Sequence, residues 1–222
     1  MKNLLLLSGF LFVIIHAGAQ ENFPVNGVVS KYNPVHALIN AEIHIDAGTS
    51  IKRAVLLIKE DKIIDVGNTV EIPENAIIHN LEGAHVYPSF IDPYTNYGLP
   101  KVKKQEWNPQ PQIKSKTMGP FSWNEALKPE FNAANSFSPN LTSAKSFRGA
   151  GFGTVLTFQH DGIVRGSSSI VSLGEGGAQK ELLKPRCMSH YSFSKGSSGQ
   201  SYPNSFMGAI ALLRQSIYDA IW

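Results

Sequence analysis

The sequence predicts an α/β protein in which a small β-sandwich is followed by an incomplete α/β region. Residues 37–45 alternate, with Ile39, Ala41 and Ile43 expected on one face, which is the pattern of a half-buried strand. Residues 153–159 form a short apolar run that is typical of a strand buried in a parallel sheet. Towards the end of the chain, apolar residues recur at the spacing of an α-helix.

The first 19 residues have the features of a secretory signal peptide. Lys2 supplies a positive charge, residues 4–15 are apolar, and residues 17–19 are small. A membrane anchor is the alternative, but the apolar stretch is shorter than the roughly 20 residues that a bilayer span needs. We expect cleavage near the bond between Ala19 and Gln20, which would give a secreted or periplasmic protein without stable membrane insertion.

Charge and cysteine content argue against two further classes of protein. The formal net charge is +3 at pH 7, and lysines cluster within residues 101–116. No recognition helix or aromatic-interleaved basic sheet accompanies them, so we interpret the cluster as a solvated loop and expect no nucleic-acid partner. Cys187 is the only cysteine, which excludes a disulfide within the chain, and no catalytic motif surrounds it.

After an N-terminal segment at residues 20–35, residues 36–87 are predicted to form the β-sandwich. Apolar runs at residues 54–58 and 63–66 flank a polar turn and predict a hairpin. Further short strands are predicted at residues 77–78 and 85–91. Short strands separated by turn residues are typical of a small sandwich or barrel.

Residues 88–222 are predicted to form the second region. Its residues 99–147 contain six prolines, which indicates a long insertion, with one or two helical turns at residues 123–128. A helix over residues 143–148, ended by glycines, is expected to precede the strand over residues 153–159.

Two later patterns allow alternative interpretations. The glycines of residues 162–176 could cradle a phosphate, but that segment has no Gly-x-x-x-x-Gly-Lys-Ser/Thr order. The final helix carries an apolar stripe that we interpret as packing against the core. The stripe comprises Met207, Ile210, Leu213, Ile217 and Ile221.

One segment points to a chemical function. Residues 83–98 read Gly-Ala-His-Val-Tyr-Pro-Ser-Phe-Ile-Asp-Pro-Tyr-Thr-Asn-Tyr-Gly, so an apolar run ends at Asp92 and is followed by Tyr94 and Asn96. Alternate residues of a strand point to one face, and two ligands at this spacing can hold one ion. The segment closely resembles the first barrel strand of the amidohydrolase superfamily, which reads roughly Gly-x-x-Val-x-Pro-Gly-Leu-Ile-Asp-x-His-x-His.

The resemblance covers residues 36–98 and includes imidazolonepropionase-like and dihydroorotase-like enzymes. One departure is Lys62, because the family usually has glycine at the hairpin turn. Residues 162–176 resemble a segment of large secreted amidohydrolases of Bacteroidota type, in which a Gly-Ser-rich turn precedes another strand. The resemblance implies a composite β-sandwich at residues 36–87 and the first part of a (β/α)8 barrel at residues 88–222. A complete barrel takes about 250 residues, so the barrel cannot close within this chain.

The resemblance implies the activity of this family, which is metal-dependent hydrolysis of carbon–nitrogen bonds other than peptide bonds. The metal expected for the family is zinc or a similar divalent ion. Tyr94 and Asn96 stand where the family has its two histidines, and the other family ligands come from later strands. We therefore expect no catalytic residue and no metal site in this chain. His160 and Asp161 follow the second predicted barrel strand and are the only candidates, although such a pair is more often structural. The remaining histidines show no i, i+2 or i, i+4 pairing.

Two hypotheses follow from the resemblance and its departures. In the first, the chain is the N-terminal part of a secreted amidohydrolase, whose partners are the missing C-terminal part of the same protein and a small-molecule substrate of unassigned identity. In the second, it is a non-catalytic scaffold or binding module derived from the same fold. The substitution of both histidines favours a unit without its own metal site.

Overall fold

Three β-sheets and four helices make up the part of the chain that the computed structural model describes, residues 33–103 and 124–222. This part is a mixed α/β structure built mostly from strands. The predicted signal peptide, most of the N-terminal segment and the middle of the Pro-rich insertion lie outside it. None of the helices within the two ranges is long and apolar enough to cross a lipid bilayer.

Sheet A contains the strands that were predicted for the β-sandwich. Its five strands are numbered β1 to β5 along the chain, with the bounds β1 His36–His44, β2 Ser50–Lys59, β3 Lys62–Gly67, β4 Ile77–Asn80 and β5 His85–Val86. Their order in the sheet is β3-β2-β1-β4, and β5 also pairs with β1. The β1–β2 and β2–β3 pairs are antiparallel, whereas β4 and β5 both run parallel to β1.

The prediction of strand β1 is confirmed, but the prediction that its side chains alternate regularly between the two faces is wrong. The register with β2 shifts between Leu38 and Ala41, and Asn40 has a φ of 56°. An extra residue in one strand reverses the faces on either side of it. As a result Leu38, rather than Ile39, packs with Ala41 and Ile43 in the apolar core of this sheet.

The predicted hairpin between β2 and β3 is confirmed. Lys59 pairs with Lys62, so Glu60 and Asp61 form a two-residue turn. Their φ values of 50° and 61° both lie in the left-handed region, as a type I′ turn requires. Lys62, noted above as a departure from the family, is the first residue of β3 and needs no such conformation.

The single strand predicted over residues 85–91 is wrong. β5 ends at Val86 and pairs with β1, and a new strand, β6 (Phe90–Thr95), starts in a different sheet. Between them lies Pro88, which has no N–H to donate to a strand ladder. The chain therefore leaves sheet A and enters a second sheet, called sheet B, after three residues.

Sheet B contains β6 and three later strands, β7 (Phe152–Thr157), β9 (Ser169–Ser172) and β10 (Leu182–Lys184), in the order β10-β9-β7-β6. β6 and β7 are parallel, and the connection between them includes helices α1 (Ala133–Ser136) and α2 (Leu141–Gly149). Strands β9 and β10 complete the sheet, with β9 antiparallel to β7 and β10 antiparallel to β9. One strand–helix–strand step of parallel type is thus present in the described part of residues 88–222.

The strand predicted over residues 153–159 and the helix predicted over residues 143–148 are both confirmed, as β7 and α2. The Asn140 side chain accepts a hydrogen bond of 2.8 Å from the Ser143 N–H and caps α2. Ala144 of this helix and Val155 of β7 belong to the same buried cluster in the core of sheet B.

The helical turns predicted at residues 123–128 do not form over 124–128, the described part of that stretch. This part is a turn in which Leu127 bridges Val164 of β8 (Val164–Ser167), the strand that pairs with β11 (Ser189–Tyr191). The Asn124 side chain accepts from the Ala126 N–H at 3.0 Å. Such a local bond competes with helix formation.

The glycine-rich loop after β9 is filled by a carboxylate of the same chain. Glu181, at the end of helix α3 (Ala178–Glu181), accepts from the N–H groups of Gly174 at 3.1 Å and Gly176 at 2.5 Å, and from Ser172 Oγ. A side chain on Gly174 would overlap this carboxylate, because its Cβ would lie 2.5 Å from a Glu181 oxygen. Glu181 thus occupies the position that the rival interpretation gave to a phosphate.

The interpretation of the apolar stripe on the final helix is wrong for most of its residues, although Leu213 packs against a buried cluster. Helix α4 (Phe206–Ile221) forms, and the Ser205 side chain caps it through the Gly208 N–H. Its buried side chains are Ala209 and Leu212, whereas Met207 and Ile221 are 74% and 76% exposed. Most of the stripe thus faces away from the neighbouring elements.

The turn between β2 and β3 allows a direct test. Asp61→Gly should raise the free energy of unfolding by about 0.5–1 kcal/mol, because glycine adopts a positive φ without the steric cost that other residues bear. The matched control is Asp65→Gly in β3, where glycine should lower that free energy by about the same amount. Urea unfolding followed by circular dichroism measures both, and a destabilised Asp61→Gly variant would contradict the assigned turn.

Candidate functional site at the ends of β6 and β7

Tyr94 and Asn96 lie on one exposed face where β6 ends. Tyr94 is 62% exposed and Asn96 is also exposed, whereas Thr95 and Tyr97 between and after them are buried. This alternation comes from the pleat of the strand, because Tyr97 packs into the core of sheet B. The two residues at the family's histidine positions therefore do share a face.

Aromatic rings surround Tyr94 on its inner side. Its ring lies tilted against the His160 ring, with centroids 4.4 Å apart, and meets the edge of Phe158 at 5.2 Å. The Tyr94 N–H donates to Asp92 Oδ1 at 2.9 Å. The parallel register of β6 and β7 brings these residues together, since both strands end at the same edge of the sheet.

His160 is half-buried in this group. Burial is the main cause that lowers the pKa of His160, and the Arg165 charge adds to it against smaller opposing effects of the Thr95 carbonyl and Asp92. Its Nε2 atom is buried without a hydrogen-bond partner among the residues that the structure describes. Burial and the Arg165 charge therefore both favour the neutral form of the His160 imidazole.

His190 joins the same group from strand β11, and sequence reasoning did not identify it. Its ring stacks on Phe158 with centroids 3.6 Å apart and an angle of 8°. Burial, followed by the charges of Arg165 and His160, lowers the pKa of His190, and its Nε2 also has no partner within the described ranges. Thirty residues of chain separate it from His160, so local spacing carried no signal of this contact.

Asp161 is buried and satisfied by structural contacts. Lys128 Nζ donates to Oδ2, and Ser197 donates from its N–H to Oδ1 at 2.6 Å and from its hydroxyl to Oδ2 at 2.7 Å. Burial opposes the charged form, but the hydrogen bonds from Lys128 and Ser197 outweigh it and lower the pKa of Asp161. The carboxylate joins the turn before α1 and the loop after β11 to the segment that follows β7.

The residues at the end of β6 do not fit the zinc site of the resembling family. Tyr94 carries a phenol, and Asn96 offers only a neutral amide carbonyl. Zinc in catalytic sites takes three protein ligands, mostly imidazoles and carboxylates. Tyr94 and Asn96 supply neither type.

A group of metal-ligating side chains does exist elsewhere, in sheet A. One ligand atom from each of Glu42, His44 and His85 lies within 4.8 Å of the others, the one such group of three in the described ranges. Sequence reasoning missed it because His44 and His85 are 41 residues apart. The signal that could have found it is the parallel pairing of β5 with β1, which no local pattern predicts.

Comparisons with known proteins support the fold. No protein-family model and no curated protein matches this chain. Among solved structures, it is similar to an amidohydrolase from Thermotoga maritima, with 18% sequence identity and a TM-score of 0.60. The match covers 82% of this chain and 46% of that chain, so the chain spans about half the length of the structure it matches. At this identity the similarity shows a shared, amidohydrolase-like fold.

The contacts of Asp161 predict a strong effect on stability. Asp161→Asn should lower the free energy of unfolding by about 2–4 kcal/mol, because it leaves the Lys128 ammonium without its carboxylate. Since folding lowers this pKa, the stabilisation is present above the ordinary value of 3.8 and is lost as pH falls through the folded-state value. The difference between wild type and variant should therefore shrink on acidification.

The matched control is Asp219→Asn on the exposed side of α4, where Asp219 accepts a hydrogen bond from Gln215. This change should alter the free energy of unfolding by less than about 0.5 kcal/mol. Urea unfolding at neutral and acidic pH measures both variants. Equal effects of the two substitutions would show that Asp161 does not hold its neighbours as described.

Proposed function

We propose that this chain is the N-terminal part of a secreted amidohydrolase-superfamily protein that hydrolyses carbon–nitrogen bonds other than peptide bonds, and that this unit has no metal site at the end of β6. The observation that carries the proposal is the pair Tyr94 and Asn96 on the open face of β6, in a fold shared with an amidohydrolase. In this proposal residues 36–87 form the composite β-sandwich and residues 88–222 begin a (β/α)8 barrel.

The surface of sheet B supports the proposal of a longer protein. Among the residues that the structure describes, β6 is the end strand of the sheet and pairs only with β7. Phe90 and Ile91 on this strand are 65% and 67% exposed. An exposed apolar edge strand favours pairing with another strand, and later strands of a barrel would provide that pairing. The exposed stripe of α4 is a second apolar surface that such a remainder would cover.

The chemistry of the family explains why the two substitutions matter. A zinc-like ion lowers the pKa of a bound water and polarises the scissile carbonyl. A unit that lacks imidazoles at the first strand would therefore leave catalysis to ligands on later strands or to a second unit of the whole protein. The zinc or similar ion expected for the family would then bind outside this chain.

A non-catalytic scaffold or binding module is the second candidate function. It is favoured by the aromatic packing at the strand end, where the rings of Tyr94, His160 and His190 all contact Phe158. Such packing stabilises the end of the sheet. The sequence downstream of the Trp222 codon separates the two candidates, because only the first requires later strands with histidine, lysine and aspartate ligands.

Introducing histidines at positions 94 and 96 tests whether the chain lacks the remaining metal ligands of the family. Tyr94→His/Asn96→His in the 222-residue protein should bind zinc loosely and hydrolyse no amide, because two imidazoles are fewer than the three protein ligands of a catalytic zinc. The matched control, Ile78→His/Asn80→His, puts the same spacing on one face of the exposed strand β4, whose register with β1 is regular. Both variants carry His85→Asn, which removes the histidine group in sheet A. Zinc affinity is measured by calorimetry, and the rate of amide hydrolysis is measured in the presence of zinc.

The control sets the scale for the result. Similar loose zinc binding by the two variants, without turnover, supports a unit that lacks the remaining ligands. Zinc-dependent turnover by Tyr94→His/Asn96→His alone would show that the chain already holds a complete site, which overturns the proposal. In the longer protein, Tyr94→Ala/Asn96→Ala should leave hydrolysis unchanged, and its loss would place the reaction at β6.

A further inference from the structure

We infer that Glu42, His44 and His85 form a site for a zinc-like divalent transition metal on sheet A. The site is separate from Tyr94 and Asn96, and it does not depend on the function proposed for the longer protein. Two imidazole nitrogens and one carboxylate oxygen are a ligand set that zinc uses in proteins, with a fourth position left for water.

Strand pairing builds this group. Glu42 is the parallel-register partner of His85, and Ile43 is the partner of Val86. Ile43 and Val86 pack into the core of sheet A, so the alternate residues Glu42, His44 and His85 point to the opposite face. The apolar core therefore fixes all three ligands on one side of the sheet.

The distances are close to those of a metal centre. His44 Nε2 lies 2.9 Å from His85 Nδ1, and His44 Nε2 lies 4.0 Å from Glu42 Oε1. Two nitrogens that bind one tetrahedral zinc at 2.0–2.1 Å are about 3.3 Å apart. Small side-chain rotations, which open the first distance and close the second, would bring the three atoms to a common centre.

Neighbouring residues hold the ligands in place. Ser50 Oγ donates to Glu42 Oε1 at 2.9 Å. The Tyr87 ring stacks on the His44 ring with centroids 4.2 Å apart and an angle of 11°, and it lies 6.1 Å from His85. Partners of this kind orient metal ligands and strengthen binding. Glu42 and His44 retain side-chain exposures of 24% and 22%, so an ion can reach the group from solvent.

The same sheet contains a histidine pair that serves as an internal comparison. His36 Nδ1 lies 3.0 Å from His79 Nε2, and the two rings stack at 5.3 Å. Within the described ranges, no third ligating side chain completes this pair. It therefore represents a hydrogen-bonded histidine pair alone. Glu42 is what distinguishes the proposed site from it.

The position of the site suggests a structural role for the ion. β5 consists of His85 and Val86 only, and the chain leaves sheet A directly after it to enter β6. An ion shared by β1 and β5 would tie this short strand to the sheet. We therefore assign the metal a structural role, which is to stabilise the segment where the chain passes from sheet A to sheet B.

The test uses the full mature protein, freed of metal with a chelator and titrated with Zn²⁺ and Co²⁺. We expect one ion per chain by calorimetry, cobalt absorption bands of a four-coordinate site, and a rise of Tm with zinc. His85→Asn and Glu42→Gln should each weaken binding at least about tenfold and abolish the rise of Tm. Circular dichroism establishes that each variant is folded, and Glu42→Gln tests the site even if His85→Asn does not fold.

The matched control is His79→Asn, which breaks the second histidine pair and should leave zinc affinity unchanged. Tyr94→Ala/Asn96→Ala should also leave it unchanged, which separates this site from the end of β6. Failure of wild type to bind zinc, or equal weakening by His79→Asn and His85→Asn, would overturn the proposal.

Discussion

Parallel strand pairing is the constraint on which the rest of this structure depends. The pairing of β6 with β7 brings Tyr94 to His160, and the pairing of β1 with β5 brings Glu42 and His44 to His85. Parallel strands need long connections, so each contact joins residues far apart in the chain. Both groups of side chains exist only because the sheets are formed.

Two buried carboxylates fix the loops around sheet B. Asp161 binds Lys128 and Ser197, and Glu181 binds the N–H groups of the glycine loop. A buried carboxylate requires such partners, because an unpaired charge in the interior is costly. Each acidic residue thus converts a flexible connection into a defined one. This explains why a motif that resembles a functional loop has a structural role here.

Local patterns predicted the elements whose sequence determines their geometry. The β2–β3 hairpin, β7, α2 and the existence of α4 follow from alternation, turn residues and helical spacing. The patterns failed where a single residue changed the geometry, as at Asn40, which shifts the register of β1, and at Pro88, which separates β5 from β6. They also failed for the stripe of α4, because periodicity shows that a helix is amphipathic without showing what covers it.

The sequence by itself determined the type of most elements and placed Tyr94 and Asn96 on one face at the end of a strand, since side-chain alternation is a local property of the backbone. Only the tertiary structure decided which residues meet. It packed His160 and His190 on Phe158, enclosed Asp161, and joined Glu42, His44 and His85. The physical reason is that strand order and register depend on packing between distant segments, which no local spacing encodes.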